Sequence, residues 1–117
     1  MPISIDFYGH RVNQGRVLYI AAEGDEYHIA ERIYAWCEQH GLDMDDLTGR
    51  PKIVYSSVRL NDKEQLSQFV HDVEQQCPGK WDLVFLDTLT KNMVGDQSKQ
   101  DVMADFFARV DAMRRRF

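Results

Sequence analysis

The chain lacks the features that mark secreted, membrane-anchored and disulfide-stabilised proteins. Its two cysteines, Cys37 and Cys77, form no C-x-x-C pair and have no histidine pair nearby at metal spacing, so we expect two reduced thiols. No apolar run approaches the roughly 20 residues that cross a bilayer. The first residues, MPISIDFYGHR, have neither the basic start nor the apolar core of a signal peptide. These absences predict a cytoplasmic protein with no membrane partner.

Basic side chains are scarce as well. Lys and Arg total 14 against 19 Asp and Glu, and the net charge is −5, so the surface as a whole does not attract nucleic acid. The one basic cluster, residues 114–116, is expected to be a favourable cationic helix end. Contact of that cluster with a phosphate backbone is the alternative reading. Any nucleic-acid binding by the chain alone should therefore be weak.

What the chain does contain is the composition of a folded domain. Hydrophobic residues make up 44%, charged residues 28% and aromatic residues 11%, which is ordinary for a globular protein. A length of 117 residues is enough for one domain with a real core. We expect one domain over residues 1–117, with residues 1–15 as an irregular N-terminal segment.

Three short runs rich in β-branched, aromatic and other apolar residues predict buried strands. They are residues 16–22 (RVLYIAA), 52–60 (KIVYSSVRL) and 82–86 (DLVFL). The second run is less apolar than the other two, which indicates a position nearer an edge of the sheet.

Apolar residues at helical spacing predict three helices. The first spans 27–40, the second begins at Asn61 or Asp62 and ends before residues 78–79, and the third spans 100–116. Their apolar faces contain Ile29, Ala30, Ile33, Trp36 and Cys37 in the first helix, Leu66, Phe69, Val70 and Val73 in the second, and Met103, Phe106, Phe107, Val110 and Met113 in the third.

The predicted elements alternate strand, helix, strand, helix, strand, helix. This alternation indicates right-handed crossovers and a parallel sheet. We therefore expect an α/β fold, a three-layer α/β/α arrangement around a small parallel sheet. Loops are expected at residues 43–51, with a short turn, and at residues 91–98.

Two carboxylates follow strands of this predicted sheet. Glu23 comes after the first strand. Asp87 lies near the C-terminal end of the apolar run 81–89, WDLVFLDTL. Ligands of parallel sheets bind outside the C-terminal ends of the strands, and an acid at the end of a buried strand is a common way to hold Mg²⁺ against phosphates. Each carboxylate also has a purely structural interpretation. Asp87 could cap the following loop through hydrogen bonds to its backbone, and Glu23 could be a solvated acid at a helix N-terminus. The phosphate-gripping motif G-x-x-x-x-G-K-[ST] does not occur in the sequence.

Three segments carry a resemblance to a known family. RVLYIAAEGDE, AERIYAWCEQHGLD and WDLVFLDTLTKNMVGDQSKQDVMADFFARVDAMRR resemble the RecA-like ATPase core of the RepA hexameric replicative helicases of plasmids and phages. The resemblance runs from about residue 7 onward. It implies ATP and Mg²⁺ as cofactors and a link to DNA replication or recombination.

The same resemblance implies roles for individual residues. Glu23 corresponds to the base that activates the attacking water, and Asp87 to the acid that orders Mg²⁺. Such chemistry suits carboxylates, since one accepts a proton and the other holds the ion through its water shell. Thr88 is expected to hydrogen-bond that water shell. Asn92 or Lys91 is expected to sense the bound phosphate or to contact DNA.

The chain also departs from the family pattern. Members have a strand, a P-loop and a helix before the segment equivalent to residues 15–24, and further core strands after the last helix. We therefore expect a truncated RecA-like domain that binds Mg²⁺ and ATP weakly and is not catalytically competent alone. An exposed sheet flank would be covered by self-association or by a complete P-loop ATPase. The alternatives are a non-enzymatic phage or plasmid protein that regulates or inhibits a related helicase by oligomerising with it, and a structured fragment with no selected activity.

Overall fold

Five strands and three helices make up the computed structural model in the residues it describes, which are 6–23, 25–46 and 51–117. In chain order they are β1 (Asp6–Phe7), β2 (His10–Arg11), β3 (Val17–Ala21), α1 (Glu26–Gln39), β4 (Lys52–Val54), α2 (Lys63–Gln76), β5 (Leu83–Asp87) and α3 (Gln100–Arg116). Short 3-10 helices cover Met44–Asp46 and Thr90–Asn92.

The central sheet has three parallel strands in the order β4-β3-β5. Ile20 of β3 is the register partner of Val54 on one side and of Leu86 on the other. The predicted parallel sheet is confirmed, and so is the edge position of the strand that begins at Lys52. The chain moves from β3 to β4 and then back across β3 to β5, so right-handed crossovers place α1 and α2 on opposite faces. This is the expected α/β fold.

The hydrophobic core fills the space between one face of the sheet and the helices α2 and α3. Apolar side chains are buried here because strand residues two apart point to the same face and helix residues three or four apart form one stripe. Its buried members are Leu18, Ile20, Val58, Leu60, Phe69, Val70, Val73, Met93, Phe106, Met113 and Phe117.

The opposite face of the sheet, on the α1 side, is less completely covered. Leu83 and Phe85 point to this face and are 48% and 46% exposed. On α1 itself Cys37 is buried. The expectation that Trp36 belongs to the apolar face was wrong: it is 43% exposed and stacks on His40, with ring centroids 4.2 Å apart.

On α3 the prediction was right for Phe106 and Met113 and wrong for Phe107. Phe106 and Met113 are buried in the core, whereas Phe107 is 60% exposed. Neighbouring positions on a helix point about 100° apart, so a stripe centred on Phe106 leaves Phe107 at the solvent side.

The second predicted strand is much shorter than expected. It was predicted over residues 52–60, but β4 ends at Val54. Beyond Val54 the backbone N–H groups find partners outside the sheet. The N–H of Val58 donates to the side-chain oxygen of Asn92, and the N–H of Leu60 donates to the backbone carbonyl of Asn92. Residues 58–60 therefore pack on the loop after β5 and close one end of the core.

The N-terminal segment also differs from expectation. Residues 1–15 were predicted to be irregular, but β1 and β2 form an antiparallel hairpin. The turn residues Tyr8 and Gly9 have φ of 49° and 80°, the paired positive values of a tight two-residue hairpin turn. Residues 1–5 lie outside the described part of the chain.

The predicted start of the second helix is confirmed at Asp62, which caps α2 by accepting from the N–H groups of Glu64 and Gln65. Asp25 caps α1 by accepting from the N–H of His28, a role that was not predicted. Both cysteines are free thiols. Across the described ranges, no helix combines the length and the apolar content needed to cross a membrane.

Candidate functional site

The carboxyl ends of β3 and β5 meet at one edge of the sheet. Ala21 is the register partner of Asp87, and the N–H of Ala22 donates to the carbonyl of Asp87 at 2.8 Å. This pairing brings the residues that follow the two strands together. The hydroxyl of Thr88 donates to Oε1 of Glu23 at 3.3 Å. The structure thus juxtaposes Glu23, Asp87 and Thr88, whose roles in binding and catalysis stay predictions.

Asp87 has a partner that the sequence reasoning did not identify. The phenol of Tyr19 donates to Oδ2 of Asp87 at 2.6 Å. This hydrogen bond, together with burial and the Asp87 charge, raises the pKa of Tyr19, while the charge of Arg32 on α1 acts in the opposite direction. Strand alternation places Tyr19 on the same face as Ala21. Only the observed register makes Ala21 the partner of Asp87, so the sequence pattern alone did not reveal this contact.

Asn92 occupies a different position from the other predicted site residues. Its side chain is fully buried. Nδ2 donates to the carbonyl of Thr88 at 2.7 Å, and Oδ1 accepts from the N–H of Val58 at 2.9 Å. Both polar atoms of the amide are thus engaged within the protein. The predicted contact of Asn92 with a cofactor stays a prediction. In the observed geometry the Asn92 side chain supports the loop that carries Thr88.

The donor chemistry at this edge fits a magnesium ion bound together with phosphates. Asp87 is half-buried and Glu23 is exposed, and the described residues give Asp87 Oδ1 no hydrogen-bond partner. Within the described ranges, no group of three or more His, Cys, Asp or Glu side chains is placed to hold a metal ion. Mg²⁺ usually binds through one or two carboxylates plus substrate phosphates and water. Asp87 would therefore hold the ion only as part of a larger set of ligands.

Two other features lie away from this edge. A groove of about 370 Å³ between β4 and α2 is lined by Val54, Phe69 and neighbouring side chains, and does not include the strand-end acids.

The basic residues at the end of α3 face acids of the same chain: Arg114 and Arg115 each approach Asp111 at 2.8 Å, and Arg116 approaches Glu74 at 2.7 Å. These pairs agree with the expected cationic helix end, and a phosphate contact of this cluster stays a prediction.

Comparison with known proteins gives one match. A family model described as an AAA domain matches residues 5–117. No curated protein matches the chain, and no solved structure matches it.

Proposed function

The chain belongs to the AAA domain family, and from this premise we propose that the ends of β3 and β5 form the metal side of an ATP site. The observation that carries the proposal is the Thr88–Glu23 hydrogen bond beside Asp87. Two carboxylates and a hydroxyl from neighbouring strand ends are thereby held at the edge where parallel sheets bind ligands.

Each residue would have a defined task. Asp87 would hold Mg²⁺, partly through the water shell of the ion, and the bound ion would neutralise charge on the phosphates. Glu23 would accept the proton of the attacking water, which is a role that a carboxylate can fill. Thr88 would hold the Glu23 carboxylate in place through its hydrogen bond. Asn92 would hold the loop after β5 in place through its hydrogen bond to the carbonyl of Thr88.

The proposal covers half of a nucleotide site. Residues 1–117 contain no G-x-x-x-x-G-K-[ST] motif, the source of the backbone N–H groups and the lysine that grip phosphates. Two carboxylates close to a triphosphate repel it until a metal ion intervenes. We therefore propose weak, metal-dependent ATP binding and no hydrolysis by these residues alone. The more specific assignment, to a RepA-type helicase acting in DNA replication or recombination, rests on the resemblance of three segments, RVLYIAAEGDE, AERIYAWCEQHGLD and WDLVFLDTLTKNMVGDQSKQDVMADFFARVDAMRR.

A stability measurement tests the proposal. ATP with Mg²⁺ should raise the unfolding free energy by about 0.4 kcal/mol when the ligand concentration equals Kd, and by more at higher concentration. Asp87→Ala should abolish the increase. Asp72→Ala removes an exposed acid from α2 and should keep it. An equal response to Mg²⁺ and ATP in Asp87→Ala would refute the metal role of Asp87.

A second candidate function is that of a non-enzymatic protein that oligomerises with a related P-loop ATPase and regulates it. The observation in its favour is the open side of β5. In the described part of the chain β5 has a strand partner only in β3, and Leu83 and Phe85 on it are about half exposed. A parallel strand with exposed apolar side chains and unpaired backbone groups invites another strand to pair with it. Association without a nucleotide effect would favour this candidate.

A further inference from the structure

We propose that Tyr19 is a positioning residue for Asp87, holding Oδ2 of the carboxylate so that Oδ1 is turned toward the metal position. The inference rests on the proposed function, because it concerns the carboxylate assigned there to Mg²⁺. It adds a residue that the sequence did not identify and that lies on the neighbouring strand.

The placement of Tyr19 makes it suited to this task. It lies in the middle of β3, which is paired on both sides, so its backbone is the best-supported part of the sheet. Its ring packs on Phe85 of β5, with centroids 5.7 Å apart. From there the hydroxyl reaches diagonally to Asp87, two residues further along β5, at 2.6 Å. Two strands and an aromatic contact therefore fix the donor.

A phenol is chemically different from the other donors available to a carboxylate. A lysine or arginine at this position would neutralise the charge that attracts the cation, whereas a neutral hydroxyl orients the carboxylate and leaves its charge in place.

Two other charged residues bear on this pair. Arg32 on α1 acts on Tyr19 through its charge, and Glu23 accepts a hydrogen bond from Thr88, the residue after Asp87. Neither is hydrogen-bonded to the Asp87 carboxylate, whereas Tyr19 is. Removing the phenolic oxygen should thus free the carboxylate to rotate without removing its charge.

Tyr19→Phe keeps the ring that packs on Phe85 and removes only the hydroxyl, so the variant should fold. Tyr34→Phe is the matched control, because the Tyr34 hydroxyl also donates to a carboxylate, Glu38 at 3.3 Å, on the exposed side of α1. Both variants and Asp87→Asn would be made in the full 117-residue chain.

The first measurement is the NMR signal of the Tyr19 hydroxyl proton at neutral pH, because a hydrogen bond to a carboxylate slows exchange of that proton with water. The signal should be absent from Tyr19→Phe, should be weakened in Asp87→Asn, and should persist in Tyr34→Phe. A signal that is unchanged in Asp87→Asn would overturn the contact between Tyr19 and Asp87, and with it the inference.

The second measurement is the binding of Mn²⁺, as a stand-in for Mg²⁺, in the presence of ATP, followed by the electron paramagnetic resonance of the free ion. Tyr19→Phe should weaken binding on the order of tenfold, while Tyr34→Phe should bind as the wild type does. If wild type and Tyr19→Phe bind Mn²⁺ equally, the positioning role is wrong and the proposed function stands. If the wild type itself binds no Mn²⁺, the proposed function fails and the positioning role fails with it.

Discussion

The hydroxyl of Thr88 donates a hydrogen bond to Glu23 over 3.3 Å and so joins the residue after β5 to a residue that follows β3. The two residues are far apart in sequence, and the parallel pairing of their strands is what brings them together. Because the same pairing places Asp87 beside them, three side chains with oxygen donors share one edge of the sheet. This arrangement is the structural basis of the proposed metal side of an ATP site.

Asn92 should contribute strongly to stability. Asn92→Ala leaves the buried N–H of Val58 without its acceptor, and an unsatisfied buried donor costs about 1–3 kcal/mol of unfolding free energy. Chemical denaturation monitored by circular dichroism would measure the loss. Asn13 is exposed, and Asn13→Ala should change the unfolding free energy by less than about 0.5 kcal/mol. Equal effects of the two substitutions would contradict the structural role of Asn92.

Tyr19 should make stability depend on pH in the alkaline range. Its pKa is raised in the folded protein from the ordinary value of 10.0, chiefly by the hydrogen bond with Asp87. A raised pKa means that the folded state holds the proton more tightly, so this stabilisation is complete below the unfolded pKa and is lost as pH rises through the folded pKa. The thermal midpoint of the wild type relative to Tyr19→Phe should therefore fall above about pH 10. A difference that stays constant with pH would argue against the hydrogen bond.

Asp25 should make stability depend on pH in the acid range. Hydrogen bonds from the backbone N–H and then the ring of His28 lower the pKa of Asp25 below its ordinary value of 3.8. The stabilisation is therefore present above that value and is lost as pH falls through the lower folded pKa. Asp25→Ala should lower the thermal midpoint near neutral pH, and the difference from the wild type should shrink in acid.

Asp25→Asn provides the control for this cap. An asparagine keeps a side-chain oxygen that can accept at the helix N-terminus but carries no charge. Its effect near neutral pH should be smaller than that of Asp25→Ala and should vary little with pH. If Asp25→Ala and the wild type differ by the same amount at every pH, the cap does not depend on ionisation of Asp25.

The open side of β5 should be the surface through which the chain associates. Phe85→Lys places a charge on a half-exposed apolar position of an edge strand, which opposes strand addition. Sedimentation equilibrium should show concentration-dependent association of the wild type and a shift toward monomer in this variant. Phe107→Lys changes an exposed phenylalanine on α3 and should have no effect. A wild type that stays monomeric at high concentration would refute self-association through β5.

Local patterns were sufficient to predict much of this fold. The third helix has the predicted bounds, since its apolar spacing is regular. The run before Asp87 was recognised because parallel strands are apolar on both faces. Residues 55–60 were assigned wrongly because Val58 and Leu60 donate their N–H groups to Asn92 and not to a strand. Asn92 is more than thirty positions away and gives no local signal.

The candidate site shows the same contrast between residues that local patterns predict and residues placed by long-range contacts. Glu23 and Asp87 were predicted from their positions at the ends of apolar strands, and Thr88 was predicted from the family resemblance. The pairing of β3 with β5 brings the three to one edge. Tyr19 was not identified, because its contact with Asp87 depends on the register between two strands. Register is a tertiary property that a single strand pattern leaves open.

The most direct test of the metal site is paramagnetic line broadening by Mn²⁺ in the presence of ATP, read from the amide NMR signals of the chain. Mn²⁺ should broaden the amide signals of Glu23, Asp87 and Thr88 first, and Asp87→Ala should remove this selectivity. Broadening that begins elsewhere, for example around Asp43 and Asp45, with the signals of the strand ends unaffected, would contradict the claim that the ends of β3 and β5 hold the metal.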